Sequence, residues 1–167
     1  MSDLPDELDA KAARTLALLR EAEALGPAAL ASSLSAEDMV LTDLIVRHGL
    51  KIGLFTLETG RLAPETVAMI GETESHFGVA LEIYRPDPAA VDAYVRDHGR
   101  DAFYDSVELR KACCAIRKVE PLKRALAGKA AWITGQRRSQ GVTRAALAER
   151  EHDDAHGMEK LNPPATW

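Results

Sequence analysis

Short apolar runs alternate with longer amphipathic segments along most of the chain, and this alternation limits the fold more than any other feature. The apolar runs predict buried strands, and the amphipathic segments predict helices because their apolar residues recur at helical spacing. The predicted strands are 28–34, 51–57, 79–84 and 130–134, and the predicted helices are 1–26, 35–49, 64–76, 89–97, 107–119 and 121–127. This order predicts an α/β fold, with a doubly wound, mostly parallel sheet and helices on both faces.

Two places interrupt the regular pattern. Pro121 cannot continue a helix without a kink, so helix 107–119 is predicted to end and a second helix to begin at Pro121. From Glu149 onward the charge is high and the apolar content is low, so 149–167 is predicted to be an irregular end. The length of 167 residues is typical of one domain, so 1–167 is predicted to be a single α/β domain with an N-terminal helix over 1–26.

The composition predicts a protein without nucleic-acid or membrane partners. The net charge of −5 argues against a nucleic-acid binder. No apolar run approaches the ~20 residues that a helix needs to cross a bilayer. Residues 1–7 are acidic and lack the basic and apolar regions of a signal peptide. We therefore expect the chain to be cytoplasmic.

Basic residues are concentrated in one segment of this acidic chain. From Arg110 to Arg144 there are ten Lys and Arg residues and one acid, Glu120, so this segment carries +9 and the rest carries −14. A basic segment in an acidic protein is typical of an anion site, and the alternative is a solvated helix face.

Both cysteines, Cys113 and Cys114, lie inside this basic segment. A disulfide between neighbours is strained, closes no useful loop and is disfavoured in the cytosol. Successive helical residues point ~100° apart, which suits a tetrahedral zinc ion poorly. A larger iron–sulfur cubane can take both thiolates if the helix is distorted, and the nearby cations offset its charge. Buried, inert thiols are the alternative.

Polar loops follow three of the predicted strands, at residues 33–38, 58–61 and 135–138. Because the carboxyl ends of parallel strands meet at one edge of a sheet, we expect these loops to lie together. The first loop combines serine hydroxyls with the N–H groups of a helix start, which is typical of an anion cradle, although Ser35 and Asp38 also fit a capping box.

The other two loops contain arginines that suit an anionic ligand. Gly60 allows the backbone to approach a ligand closely, and Arg61 can pair with phosphate. Arg137 and Arg138, with Arg144 nearby, can hold sulfate or phosphate, and a solvated loop is the alternative.

Taken together, four segments resemble the phosphoadenylyl-sulfate reductase family. They are Ser33-Leu34-Ser35-Ala36-Glu37-Asp38, Thr59-Gly60-Arg61-Leu62, Lys111-x-Cys113-Cys114-x-x-Arg117-Lys118-Val119-x-Pro121-Leu122 and Gly135-x-Arg137-Arg138-x-Gln140. The third segment is the most specific. Its Cys-Cys pair resembles that of the assimilatory adenylyl-sulfate (APS) reductase branch of the family.

The resemblance implies an adenine-nucleotide α-hydrolase-like fold and a nucleotide-binding domain. It implies that APS is reduced to sulfite and AMP with thioredoxin as electron donor, within sulfate assimilation and cysteine biosynthesis. In the family a cysteine thiolate attacks the sulfate sulfur, AMP leaves, and thioredoxin releases sulfite from the S-sulfocysteine. The implied partners are adenylyl sulfate and thioredoxin, and homo-oligomerisation stays open.

The resemblance also implies roles for individual residues. The residues that would bind the nucleotide or its anionic end are Ser33, Ser35, Leu57 (at the adenine), Gly60, Arg61, Arg137 and Arg138. Lys111 would be an electrostatic catalytic group between cluster and substrate. Cys113 and Cys114 would be two of the four ligands of a 4Fe–4S cluster.

In one respect the chain departs from the family. Members continue past Leu161-Asn162-Pro163 with a segment that carries a Cys-x-x-Cys pair and the nucleophilic cysteine, and this chain has neither. We therefore expect it to carry the nucleotide-binding part, and alone to neither reduce APS nor hold a stable cluster. The alternative that Cys113 or Cys114 is the nucleophile requires a thiol of this helix to reach sulfur in line with the leaving phosphate.

Two other functions compete with this interpretation. One is an ATP pyrophosphatase or adenylyl transferase of the same fold, but residues 33–38 lack the glycines of the Ser-Gly-Gly-x-Asp-type loop of those enzymes. The other is a non-catalytic module that binds adenylyl sulfate.

Overall fold

The computed structural model describes residues 4–141 and 146–167, and its described part contains a six-stranded sheet. The strands are β1 (Ala28–Ala31), β2 (Ile52–Leu57), β3 (Glu82–Tyr84), β4 (Ala131–Thr134), β5 (Arg150–Asp153) and β6 (Met158–Leu161). They lie in the order β3-β2-β1-β4-β6-β5, and all neighbouring pairs are parallel except β5 and β6. The predicted mostly parallel sheet is confirmed. Arg144 of the basic segment lies outside the described residues.

Helices cover both faces of the sheet. They are α1 (Leu4–Ala24), α2 (Ala36–Arg47), α3 (Pro64–Phe77), α4 (Pro88–His98), α5 (Val107–Cys114) and α6 (Glu120–Leu126). Neighbouring strand residues point to opposite faces. Leu30 accordingly packs in one core with Leu19 of α1 and Leu41 of α2, whereas Ala29 packs in a second core with Leu126 of α6. Within the described residues, no helix combines the length and the apolar character that crossing a membrane requires.

The prediction that the chain breaks before Pro121 is wrong. Helix α5 passes directly into a π-helical segment, Ala115–Val119, which passes directly into α6. Proline has no N–H to donate to the carbonyl four residues earlier, and its ring clashes with that carbonyl. The wider π-helical turn accommodates this conflict without ending the helix. The distortion therefore begins directly after Cys113 and Cys114.

The prediction of an irregular end over 149–167 is also wrong, because this segment contains the β5–β6 hairpin. Strand β5 lies at the sheet edge and exposes alternate charged residues, as edge strands commonly do. Strand β6 buries Met158 and Leu161. The Asp153 carboxylate closes the turn by accepting hydrogen bonds from the N–H groups of Ala155 and His156 and from the Trp132 indole. The charged composition therefore concealed a strand pair whose two buried apolar residues, Met158 and Leu161, pack into the two cores on opposite faces of the sheet.

Candidate functional site

A cleft of about 530 Å³ opens at the carboxyl ends of β1, β2 and β4. The parallel register places the last residue of β1, Ala31, beside Phe55 of β2 and Thr134 of β4. Residues from all three predicted loop regions line the cleft, including Ser33, Thr59 and Gly135. The prediction that these loops share one edge of the sheet is confirmed.

The lining of the cleft combines apolar and polar side chains. Phe55, Leu57, Leu122 and Trp132 contribute apolar surface, and the loop after β1 contributes hydroxyls. A mostly apolar cleft with a few placed polar groups is the usual form of a small-molecule site, and this volume is in the ordinary range for one. Leu57, which was predicted to meet adenine, therefore lies in the cleft together with aromatic side chains that the sequence did not identify.

The loop after β1 is organised by the carboxylate of Asp38. The strand ends at Ala31 rather than at the predicted residue 34, and Leu34 itself adopts a left-handed backbone angle, with φ of 65°. The Oδ2 atom of Asp38 accepts hydrogen bonds from the Ser33 N–H at 2.7 Å, the Ser33 hydroxyl at 2.7 Å and the Ser35 hydroxyl at 3.1 Å. Ser35 occupies the N-cap position of α2, but its side chain caps no helix N–H. The loop therefore forms no capping box.

Gly135 brings the loop after β4 against the same carboxylate. A Cβ atom at position 135 would lie 2.2 Å from Oδ1 of Asp38 and 3.2 Å from the Cβ of Glu37. Real Cβ atoms do not approach heavy atoms so closely, so the position requires glycine. Asp38 is 2% exposed, and its Oδ1 has no hydrogen-bond partner among the described residues.

A second, smaller cavity of about 160 Å³ contains the two cysteines. Both thiols are partly buried, and they share this cavity with four cationic side chains. The cations are Arg61, Arg110, Arg117 and Lys118. The chain therefore surrounds its cysteines with positive charge, as the basic segment predicted.

Arg117, in the π-helical segment, forms a hydrogen bond with the loop after β2. Its side chain is buried, with 9% exposed, and its Nη1 donates a hydrogen bond to the Thr59 carbonyl oxygen at 2.7 Å. The backbone of Gly60 is left-handed, with φ of 71°, and a Cβ there would lie 3.1 Å from this Nη1. Gly60 thus lets the loop pass over a buried arginine.

Arg61 points toward the cysteine cavity rather than the main cleft. Its Nη2 donates to the Asp101 carboxylate at 2.7 Å, and its guanidinium lies 5.0 Å from the centre of the Phe103 ring. Gly60 and Arg61 also line two further cavities, of about 400 and 370 Å³, on the α4 side of the loop. Their predicted part in nucleotide binding stays a prediction.

Arg137 and Arg138 both hold contacts within the protein. Arg137 pairs through Nη2 with the Glu37 carboxylate at 2.7 Å. The pKa of Glu37 is lowered chiefly by a hydrogen bond from its own N–H and further by Arg137, against the opposing effect of burial. Arg138 donates from Nε to the Leu147 carbonyl oxygen at 2.6 Å. A ligand would have to compete with these contacts, so the predicted role of the pair stays a prediction.

Lys118 belongs to the third sequence motif, but it was not predicted to line the ligand site. It lines both the main cleft and the cysteine cavity, as Thr59 also does. Lys111, predicted to stand between cluster and substrate, is exposed on α5 and lines neither cavity. Lys118 follows Cys114 by four residues, and residues at that spacing lie on one face of a helix. This spacing could have identified Lys118 as a neighbour of the cysteines.

The two cysteines do not form a metal centre by themselves. Among the described residues, no group of three or more His, Cys, Asp or Glu is placed to hold a metal ion. A 4Fe–4S cluster takes four thiolates, and the chain has two cysteines. Two cysteines could supply at most half of such a ligand set, and the predicted role of Cys113 and Cys114 as cluster ligands stays a prediction.

The fold and the cleft define an α/β protein with a candidate ligand site at the carboxyl ends of parallel strands. Residues 27–167 match the phosphoadenosine phosphosulfate reductase domain, and the chain belongs to this family. A crystal structure of phosphoadenylyl-sulfate (PAPS) reductase from Candida auris, in a phosphate complex, is similar, with a TM-score of 0.73 and 26% sequence identity. That similarity covers 92% of this chain and 73% of the other. The predicted adenine-nucleotide α-hydrolase-like fold is confirmed.

Curated relatives are similar over nearly the whole chain. The adenosine 5'-phosphosulfate reductase of Burkholderia cepacia is 54% identical over 165 residues, which is 98% of this chain. The protein of the same name from Allochromatium vinosum is 52% identical over 163 residues, or 97% of this chain. The chain spans 66% and 64% of the length of these two relatives.

Proposed function

We propose that this chain carries the nucleotide-binding part of an adenylyl-sulfate reductase and that its cleft binds adenylyl sulfate (APS). The overall reaction consumes APS and the two thiols of reduced thioredoxin. It yields AMP, sulfite, the thioredoxin disulfide and two protons, so sulfur gains the two electrons that the dithiol loses. The relatives named adenosine 5'-phosphosulfate reductase support this substrate.

One observation carries the proposal: the main cleft and the cysteine cavity share Lys118 and Thr59. A nucleotide whose base lies in the cleft can therefore direct an anionic end toward the cationic cavity. The ammonium group of Lys118 is the cation common to both sides. A phosphosulfate anhydride carries negative charge over its length, and a cationic side chain at this junction both attracts and orients it.

The lining of the cleft suits an adenine nucleotide in two parts. The aromatic and aliphatic side chains of Phe55, Leu57 and Trp132 offer apolar surface to a flat base. The N-terminus of α2, which follows Ser35, offers N–H groups without partners in the helix to an anionic group. The cleft therefore separates an apolar end from an anion-binding end, as an adenylyl ligand does.

We propose further that Cys113 and Cys114 are two of the four thiolate ligands of a 4Fe–4S cluster. Their cationic surroundings and the π-helical distortion support this assignment. With both thiols used as ligands, the chain has no third cysteine for the nucleophilic step. We expect no sulfite when the chain alone is mixed with APS and reduced thioredoxin, and sulfite formation would contradict the assignment of both thiols.

Calorimetric titration of the anaerobic chain with APS, with ATP and PAPS in parallel, tests the proposed ligand. We expect APS to bind more tightly than ATP or PAPS. Tighter binding of ATP would instead favour a pyrophosphatase or adenylyl transferase, and release of pyrophosphate from ATP with magnesium would confirm it. An absence of APS binding would contradict the proposal that these residues form the pocket.

A further inference from the structure

Asp38 is the third residue of α2, where an acid ordinarily belongs to a capping box. In that arrangement its carboxylate accepts a hydrogen bond from the N–H of the N-cap residue, and the N-cap hydroxyl accepts one from its N–H in return. Here the carboxylate reaches two residues further back, to the N–H and hydroxyl of Ser33. The reciprocal pair is therefore absent, and the acid holds the preceding loop instead of the helix start.

The Ser35 hydroxyl is withdrawn from the helix by the same carboxylate. It donates to Oδ2 of Asp38 at 3.1 Å, the Glu37 carboxylate lies close by, and the side chain accepts no hydrogen bond from the N–H groups of α2. Serine at an N-cap position ordinarily satisfies one of these N–H groups. Because Ser35 and Asp38 both line the main cleft, the uncapped helix start faces the cleft.

The second oxygen of Asp38 shows that this arrangement is not a simple stabilising device. Oδ1 is buried at the cleft, lies under Gly135 and has no hydrogen-bond partner among the described residues. A buried acceptor without a partner lowers the stability of a fold, and such groups call for a reason other than stability. A capped helix with an ordinary polar residue at position 38 would avoid this loss.

We propose that Asp38 is a positioning residue that keeps the N-terminus of α2 uncapped and open to the anionic end of the substrate. It does so by drawing the Ser35 hydroxyl away from the helix N–H groups and by fixing Ser33 in the same hydrogen-bond cluster. The identity of the ligand rests on the proposed function. The role of the carboxylate rests on the hydrogen bonds and can be tested separately.

The Asp38→Ala substitution separates this role from a purely electrostatic one. Without the carboxylate, the Ser35 hydroxyl is free to cap α2, and it then competes with the ligand. We expect APS affinity to fall about tenfold or more, as for the loss of one charge-assisted hydrogen bond, while adenosine affinity changes by less than about twofold. If Asp38 only repelled the anion, the substitution would strengthen APS binding, and that result would overturn the proposal.

The double variant Ser35→Ala/Asp38→Ala gives the decisive comparison. Removing the Ser35 hydroxyl removes the competing cap, so we expect APS affinity to recover by at least about threefold relative to Asp38→Ala. A merely structural role for Asp38 predicts no recovery or a further loss. Asp43→Ala is the matched control, because Asp43 lies on the same helix, carries the same charge and pairs with Arg47 at the surface. It should bind APS within about twofold of the parent chain.

Amide hydrogen exchange tests the role of Asp38 in the free protein, without a ligand. In the free protein, the amide of residue 38 should exchange more slowly in Asp38→Ala than in the double variant, because only the single variant retains the capping hydroxyl. Equal exchange in both overturns the proposal even if APS binds. If APS does not bind the parent chain, the proposed function fails while slower exchange still supports the role of Asp38. If Asp38→Ala is not folded, Asp38→Asn gives the opposite test: its amide oxygen still accepts from the Ser35 hydroxyl, so it should bind APS within about threefold of the parent chain, and a loss of about tenfold or more would overturn the proposal.

Discussion

Gly135 is the position where one added methyl group tests the geometry of the cleft most sharply. In Gly135→Ala the new Cβ would lie 2.2 Å from Oδ1 and 3.1 Å from Cγ of Asp38. Asp38 cannot move aside freely, because its other oxygen holds three hydrogen bonds to Ser33 and Ser35. The substitution therefore forces either the loop after β4 or the loop after β1 to shift.

The expected loss follows from two contributions. Overpacking a filled site costs about 1–3 kcal/mol, and each distorted hydrogen bond adds about 0.5–1.5 kcal/mol. Replacing glycine also restricts the unfolded chain, and this raises the free energy of unfolding by about 0.4–1 kcal/mol. The free energy of unfolding should therefore fall by about 2–4 kcal/mol, a large share of the ~5–15 kcal/mol that stabilises a typical domain.

Urea unfolding followed by circular dichroism measures this loss, and Gly71→Ala is its matched control. Gly71 lies on exposed α3 with no atom within 4 Å of its added Cβ. There alanine should raise the free energy of unfolding by about 0.5–1 kcal/mol, because it favours the helix. The same substitution is thus expected to act in opposite directions at the two positions.

Equal unfolding midpoints for Gly135→Ala and the parent chain would refute the close approach of Gly135 to Asp38. A destabilised Gly135→Ala chain that binds APS with parental affinity would refute the link between this contact and the cleft. The account predicts loss of both stability and affinity.

Three further predictions address other parts of the molecule. Lys118→Met should weaken APS binding about tenfold, whereas Lys111→Met should stay within about twofold, and equal effects by calorimetry would contradict the junction role of Lys118. The side chain of Asn162 is fully buried and forms hydrogen bonds with three groups. Asn162→Ala should therefore lower the free energy of unfolding, measured in urea, by about 2–4 kcal/mol. A change below about 0.5 kcal/mol would disprove the structural role of Asn162. The hydrogen bond with Glu159 raises the pKa of His152 in the folded protein. The pair therefore stabilises the fold fully below pH ~6.5, the ordinary pKa of histidine. This contribution is lost as the pH rises through the raised pKa of His152 in the folded state. Glu159→Gln should lower that pKa in an NMR titration, and an unchanged value would contradict the contact.

The α/β architecture could be predicted because its signals are local. Each parallel strand is an apolar run, each helix has an apolar face, and Gly or Pro marks most of their ends. The loops at 33–38, 58–61 and 135–138 follow from the same pattern, because parallel strands bring their carboxyl ends to one edge. Ser33, Ser35 and Leu57 accordingly line the cleft.

Features that depend on contacts between distant residues could not be predicted in this way. The β5–β6 hairpin pairs an edge strand of charged residues with Met158 and Leu161, so its burial is visible only when the sheet is assembled. The π-helical segment keeps the helix continuous past Pro121, where the helix-breaking character of proline predicted an end. Likewise, the need for glycine at 135 arises from Asp38, which lies nearly a hundred residues earlier and occupies its Cβ space.

A crystal structure of the chain with bound APS tests the central claim most directly. We predict the adenine beside Leu57 and Trp132 in the main cleft, and the phosphosulfate between the N-terminus of α2 and Lys118, directed toward the cysteine cavity. A nucleotide bound elsewhere, such as in the cavity on the α4 side of Gly60, or one with its anionic end turned away from Lys118, would contradict the account.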